Sequence, residues 1–504
     1  MNNKYTLIFV LLTCFITSRV FAQEGSESDT LESKMLESVT IKGYRDAQSF
    51  LPKVSGMAIY SGKKTNVVSM RSGEANLAQN VSRMIFARIP GVNLWDMDGA
   101  GTQMNIGTRG VDAHRAIEMN MRQNGYNTNS DIVGYPENHY TVPMQAVRQV
   151  QLVRGSSSLQ FGSQFGGMMN YVLKEPDTTK VISVESEQTT GSYGFFNSFN
   201  SIGGAKGKVS YYAYYDNRHG DGWRPNSDYD YQAMHANVTY HFNAKGSLAF
   251  QFSRMDYVQQ IAGGLTDEQF EEDPRQSNRT RNYFSPKINI PALLFSYNLS
   301  SRTKLTVTTH GLWGERSSVQ FINTPDVEDT LNTDIGSYNP RQVDRDFYSS
   351  FTLEARVLHQ YDIGKIKSTL AGGVRYFNGI TRRKQKGVGT TGSDFDLSLI
   401  DPYGIDLRFH TVNYAFFAEN MFQLNEKLSV TPGFRYEVID SEETGVIDHA
   451  SVPVAYTGSR NFPLFGVGLQ FQLNASSQLY ANVTQAYRPF LYAYITPADQ
   501  IGQI

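Results

Sequence analysis

The chain has 504 residues, a formal net charge of -2 and a single cysteine. That charge gives no reason to expect nucleic acid as a partner, and beyond the N-terminus no apolar run reaches the roughly 18 residues of a membrane helix. A mean hydropathy of -0.40 is still compatible with a transmembrane barrel, because half of each strand there faces a wet lumen.

Residues 1–22 are predicted to be a secretory signal. Lys4 supplies the positive end, the apolar run 7–16 is too short to span a bilayer, and Val20-Phe21-Ala22 suits a signal peptidase. A lipoprotein signal at Leu11-Leu12-Thr13-Cys14 competes with this reading, and Thr13 fits it poorly. Cleavage after Ala22 removes Cys14 and leaves no disulfide, thiolate metal site or thiol nucleophile. Residues 23–49 read as a polar, flexible lead that holds one β-prone island, Glu37, Ser38, Val39, Thr40 and Ile41.

Residues 50–176 are mixed α+β and rich in glycine. The spacing of Leu77, Val81, Met84 and Ile85 predicts a helix over 74–88, stopped by Ile89-Pro90-Gly91-Val92. Strands are predicted at 103–109, 115–121 and 147–153. Residues 177–504 switch to period two from Val181. Leu248, Phe250 and Phe252 alternate with Ala249, Gln251 and Ser253; Phe434, Tyr436 and Val438 alternate with Gly433, Arg435 and Glu437. Polar partners as large as Arg and Glu require a wet inside. Short turns near 203–207, 243–246, 299–303, 362–364, 424–426 and 474–477 are interleaved with longer connections at 217–230, 258–285, 315–345, 382–407 and 441–459. Only the first hairpin, near 191–194, breaks that alternation. The expected fold is an all-β transmembrane antiparallel β-barrel with an α+β plug inside its lumen. About 13 strands are expected by Arg488, against 22 in plugged transporters, so roughly nine strands are expected to lie outside this sequence.

Four plug segments occur in order: Ile89-Pro90-Gly91-Val92; Asn105-Ile106-Gly107-Thr108-Arg109-Gly110; the run 147–155; and Phe161-Gly162 followed by Gly166-Gly167-Met168-Met169-Asn170-Tyr171-Val172. Together they resemble the TonB-dependent outer-membrane receptors, and within them most the ferric-dicitrate and ferric-siderophore receptors. The barrel segment Asn482-Val483-Thr484-Gln485-Ala486-Tyr487-Arg488-Pro489 is similar to a strand end of that group. Arg122-Gln123-Asn124-Gly125-Tyr126 departs from the family's turn by lacking its Asp. The resemblance implies a monomer in the outer membrane of a Gram-negative bacterium, crossed many times by strands and surrounded by lipid and lipopolysaccharide. It implies energy from TonB and its inner-membrane complex, gripping Glu37 to Ile41 as a TonB box by strand addition. It also implies that Arg109 and Arg154 contact carboxylates on the barrel wall, although both could equally serve the plug's own fold.

The transported ligand is expected to be an anionic ferric chelate, such as ferric citrate or a siderophore. The expected contacts are Gln123, Asn124, Tyr126, Asn127 and Tyr135 on an outward plug loop, 124–141, with Arg382 and Arg383 opening a basic barrel loop. Haem, cobalamin or an oligosaccharide are alternative cargoes, and a passive porin or adhesin is an alternative class. His235 and His241 on one lumen face could suit haem or metal, and the acidic run 267–273 could be solvated or hold calcium. No HExxH, paired cysteine or nucleophile motif is found, so no catalysis, resident cofactor or bound metal is expected.

Overall fold

The computed structural model describes residues 50–492, apart from 71–74, 98, 155, 156, 163, 449–452, 475 and 476. The predicted signal, the TonB box and Gly155 therefore lie outside the described residues.

Among the described residues thirteen strands follow one another in a single antiparallel path. They are Ser183–Thr190, Phe196–Lys206, Val209–Gly220, Tyr229–Asn243, Gly246–Gln260, Tyr283–Asn298, Thr303–Gln320, Gln342–Ile363, Ile366–Gly389, Ile405–Gln423, Leu428–Ile447, Val454–Gln472 and Gln478–Thr484, called strands one to thirteen below. The period-two reading holds along them. Phe250, Phe416, Tyr436, Phe465 and Val467 are exposed on the outer face, while Gln251, Ser253, Arg435 and Glu437 are buried on the inner one. Rings crowd the outer face in cross-strand contacts, as with Phe434 and Phe465 at 5.3 Å.

The chain passes from plug to barrel at Pro176, so strand one starts at the end where the short turns lie. The connections 261–282, 321–341 and 390–404 gather at the other end. Long loops at one end and tight turns at the other set the outside and periplasmic ends. All five long connections are shorter than the sequence suggested, the last two most of all, because strands nine and eleven run on to Gly389 and Ile447. Period-two alternation continues there, with charged groups in place of apolar ones.

Inside lies a five-stranded mixed sheet in the order Lys64–Ser69, Val147–Arg154, Gly167–Leu173, Met119–Gln123, Tyr126–Asn127. Its core is methionine-rich: Met104, Met119, Met121, Met144 and Met169 are fully buried beside Phe86 and Ile106. Thioether chains fill irregular gaps between glycine-rich turns. Gly167 shows why glycine is required, since it has φ +96° and a Cβ there would meet the Val153 carbonyl at 2.4 Å.

The predicted helix over 74–88 shrinks to Ser82–Phe86. Asn80 takes φ +60° just before it. Its side chain donates to the Gly101 carbonyl and accepts from the Met144 amide, so tertiary hydrogen bonds override helical periodicity. Met84 is exposed, whereas Val81 and Ile85 are buried as expected. The strands near 103–109 and 147–153 form as Asn105–Thr108 and Val147–Arg154. The strand expected at 115–121 begins only at Met119, after a 3-10 turn at His114–Ala116.

Candidate functional site: the junction of plug apex and barrel wall

The apex of the plug is a polar loop that folds on itself. The Asp131 carboxylate accepts from the Val133 and Gly134 amides at 2.8 and 3.1 Å, an Asx turn that points the following residues up the lumen. Burial raises the pKa of this carboxyl, and those amides and neighbouring hydroxyls oppose the rise. Beyond it stand Tyr135, Glu137 and His139.

Tyr135 meets strands eight and nine of the wall directly, and strand seven through Asp346. Its hydroxyl donates to Asp346 of strand eight at 3.3 Å and accepts from Tyr348 at 3.2 Å. Asp346 is fully buried and also binds Arg316 of strand seven at 2.8 Å and Arg383 of strand nine at 3.3 Å. The Arg383 guanidinium lies 5.2 Å over the Tyr135 ring. His139 stacks on Tyr348 at 5.7 Å. The result is a carboxylate seated between two guanidiniums and capped by plug tyrosine, a geometry suited to recognising carboxylates.

Electrostatics keep this apex in one protonation state. Burial works against charging Glu137, but Arg115, 2.7 Å away, and His139 outweigh it and take its pKa to about 2. Burial, reinforced by Arg115, lowers His139 to about 3. The histidine is therefore neutral at neutral pH, and its 3.6 Å approach to Glu137 is not an ion pair.

The expected contact residues divide between two places. Tyr135 and Arg383 meet at the apex. Arg382 faces the opposite way, on the outer wall, paired with Asp406 at 2.8 Å. Neither arginine opens a loop, because both lie inside strand nine; adjacent strand residues cannot share a face. Gln123, Asn124 and Tyr126 are not outward either. Met119–Gln123 runs parallel to Gly167–Leu173, which leads to the periplasmic exit, so the Asn124–Gly125 turn faces the short-turn end. There Gln123 binds Ser253 at 2.9 Å, and Asn124 and Tyr126 both donate to Gln251 at 3.1 Å. Asn127 bonds inward to Asn120 at 2.9 Å.

The plug arginines singled out from the sequence bond within the plug. Arg154 donates to the Pro90 carbonyl and to Asn66, and Arg109 reaches the Phe165 carbonyl at 3.5 Å. A plug cation that pairs with a buried wall carboxylate is Lys63, 2.6 Å from Glu419 of strand ten. Gln160 bonds the same carboxylate, and Ser61 meets Ser429 at 2.8 Å. Lys63 carries no motif signal. Asp346 could have been found from period two, since the run 344–356 has polar residues at every even position except Tyr348.

His235 and His241 do face the lumen, hydrogen-bonded to Ser253 and Ser210 at 2.8 and 3.2 Å. The acidic run folds as an exposed helix, Asp267–Glu272, closed by a capping box at Thr266 and Gln269. Among the described residues no group of three or more His, Cys, Asp or Glu could hold a metal.

Two family models match the chain. The TonB-dependent receptor plug domain covers residues 59–168, and the TonB dependent receptor-like β-barrel covers 175–503. Among solved structures, the unliganded ferric citrate transporter FecA superposes with a TM-score of 0.74 at 22% identity, over 88% of this chain and 65% of that one. The open form of the ferric-catecholate import receptor Fiu from E. coli K12 gives 0.65 at 14%, over 85% and 70%. The copper transporter OprC gives 0.65 at 14%, over 85% and 64%. This chain thus spans just under two thirds of FecA, and the fold is shared by proteins whose cargoes differ.

Proposed function

The chain belongs to the TonB-dependent receptors, outer-membrane β-barrel proteins that are not enzymes, and from that premise we propose that it imports an anionic ferric chelate, ferric citrate or a siderophore, with energy from TonB. The observation that carries this reading is the seat of Asp346. Arg316 and Arg383 already hold a carboxylate under the plug's Tyr135. A carboxylate-bearing chelate entering from the mouth competes for the same guanidiniums. Displacing Asp346 from them frees Tyr135 and thereby loosens the plug apex.

Coupling to TonB rests on the family and on the island Glu37 to Ile41, which is suited to strand addition. The chelate is cargo, and the protein's own residues supply only recognition and gating. Growth of a deletion strain on single iron sources tests the reading. Loss of growth on ferric citrate or one siderophore, restored by the gene, is expected. Loss on haem alone, or unimpaired growth on every iron source, contradicts it.

A further inference from the structure

The plug is held to the wall in two chemically different ways. Toward strands eight to twelve the contacts carry charge or close backbone approach. Lys63 pairs with Glu419, Arg356 donates to the Gln160 carbonyl at 2.9 Å, and Arg435 donates to the Leu159 carbonyl at 3.3 Å. Toward strand five, the turn at Asn124 and Gly125 is held through neutral side chains: Gln123 to Ser253, and Asn124 and Tyr126 to Gln251. Breaking a buried ion pair strands a charge, whereas neutral amides and hydroxyls exchange partners with water at small net cost.

Beside that seam, at the short-turn end, lies a cavity of about 620 Å³ walled by Asn124, Gln251, His235, Thr239, Arg122 and Glu354. Its size is that of small-ligand sites. Glu354 is occupied by Arg356 at 2.6 Å. Arg122 instead makes its hydrogen bonds to neutral oxygens, Asn120 Oδ1 at 2.9 Å, the Phe161 carbonyl at 3.0 Å and the Gly125 carbonyl. Among the described residues no carboxylate is hydrogen-bonded to this buried cation, and Glu354, on the same cavity wall, acts on it through space. Burial brings its pKa down to about 9, which leaves it charged at neutral pH.

We propose that this cavity is a transit site for an anionic solute, with Arg122 as its cation, entered when the seam between Gln123–Tyr126 and Gln251–Ser253 parts while the charged side of the plug stays docked. This rests on the reading of the protein as an anion importer.

Two cysteine pairs test the route in the whole protein in its native membrane. Asn124→Cys with Gln251→Cys is bridged by a short bismaleimide. Ser61→Cys with Ser429→Cys, whose hydroxyls now stand 2.8 Å apart, is closed by oxidation. The first bridge is expected to cut energised ferric citrate uptake about tenfold or more, as a locked gate does, and the second to leave it unchanged. Uptake that survives the first bridge overturns the route. A second probe needs no known ligand. Thr239→Cys is labelled in energised cells with a sulfonate-bearing or a trimethylammonium-bearing thiosulfonate. The anionic reagent is expected to react about tenfold faster, a preference lost in Arg122→Gln and kept in Arg122→Lys. Equal rates with Arg122 intact overturn the site. If the sulfonate preference holds but ferric citrate is not carried even without bridges, the ligand reading fails and the transit site stands.

Discussion

Lys63 and Glu419 meet at 2.6 Å across the boundary between plug and barrel wall, their side chains only 1% and 2% exposed. Lys63 also donates to the Ile59 carbonyl at 2.8 Å, so the pair is knitted into the plug backbone. Removing one partner leaves the other charged and buried. Lys63→Met is expected to weaken plug docking by about 3–5 kcal/mol. Lys63→Met combined with Glu419→Leu should recover much of that loss. Denaturant titration of the purified protein checks both; equal loss in the single and double variants would mean that the pair's charge is not what matters.

Next to it, Gly62 and Gly468 let two backbones touch. Gly62 has φ +76°, and a Cβ on it would lie 2.7 Å from the Gly468 Cα. Gly62→Ala is therefore expected to push the 60–63 turn away from strand twelve and break the 3.2 Å bond from its amide to Gln470. Faster protease cleavage of the plug in Gly62→Ala, with the barrel unaffected, is the expected readout. Gly110→Ala, where nothing lies within 4 Å, serves as the comparison and should cost only its backbone strain.

Acid should loosen the plug apex. His139 is lowered to about 3 from an ordinary 6.5, so its stabilising contribution is complete above pH 6.5 and is lost as pH falls toward 3. Glu137, lowered to about 2 from 4.5, adds a contribution that is complete above pH 4.5 and is lost below it. Stability should thus fall from about pH 6.5 downward, by at most about 1.4 kcal/mol per pH unit for each group. Thermal unfolding across that range tests this, and His139→Phe should flatten the part above pH 4.5. An unchanged slope in that variant would remove His139 from the account.

The two neighbouring arginines of strand nine should behave differently. Arg383 holds Asp346 and covers Tyr135, whereas Arg382 pairs with Asp406 on the outer wall. Arg383→Ala is expected to weaken ferric citrate binding about tenfold or more, and Arg382→Ala to leave it unchanged. Equilibrium titration on the two single variants distinguishes them, and equal effects would contradict the assignment of faces.

Much of this was legible in the sequence because period two is a strong signal wherever one face is apolar. The outer-face residues Phe250, Phe465 and Val467 were readable for that reason. The same signal fades where strands leave the membrane, so Arg382 and Arg383 read as a loop and as a pair. The plug was harder to read. Which way the Asn124 turn points depends on the parallel pairing of Met119–Gln123 with Gly167–Leu173, a long-range contact that composition cannot reveal. Lys63 was invisible for the same reason, because its meaning comes from Glu419, 356 positions away.

The central claim is energised import of an anionic ferric chelate, and it is tested most directly by uptake of iron-55 citrate into cells carrying the protein, with and without Val39→Pro. Proline removes a backbone donor and resists strand addition. Accumulation in the wild type, its loss in Val39→Pro and unchanged binding of ferric citrate to both is the predicted result. Equal accumulation in the two proteins would contradict the coupling, and absence of both binding and accumulation of ferric citrate and of every siderophore tried would contradict the cargo.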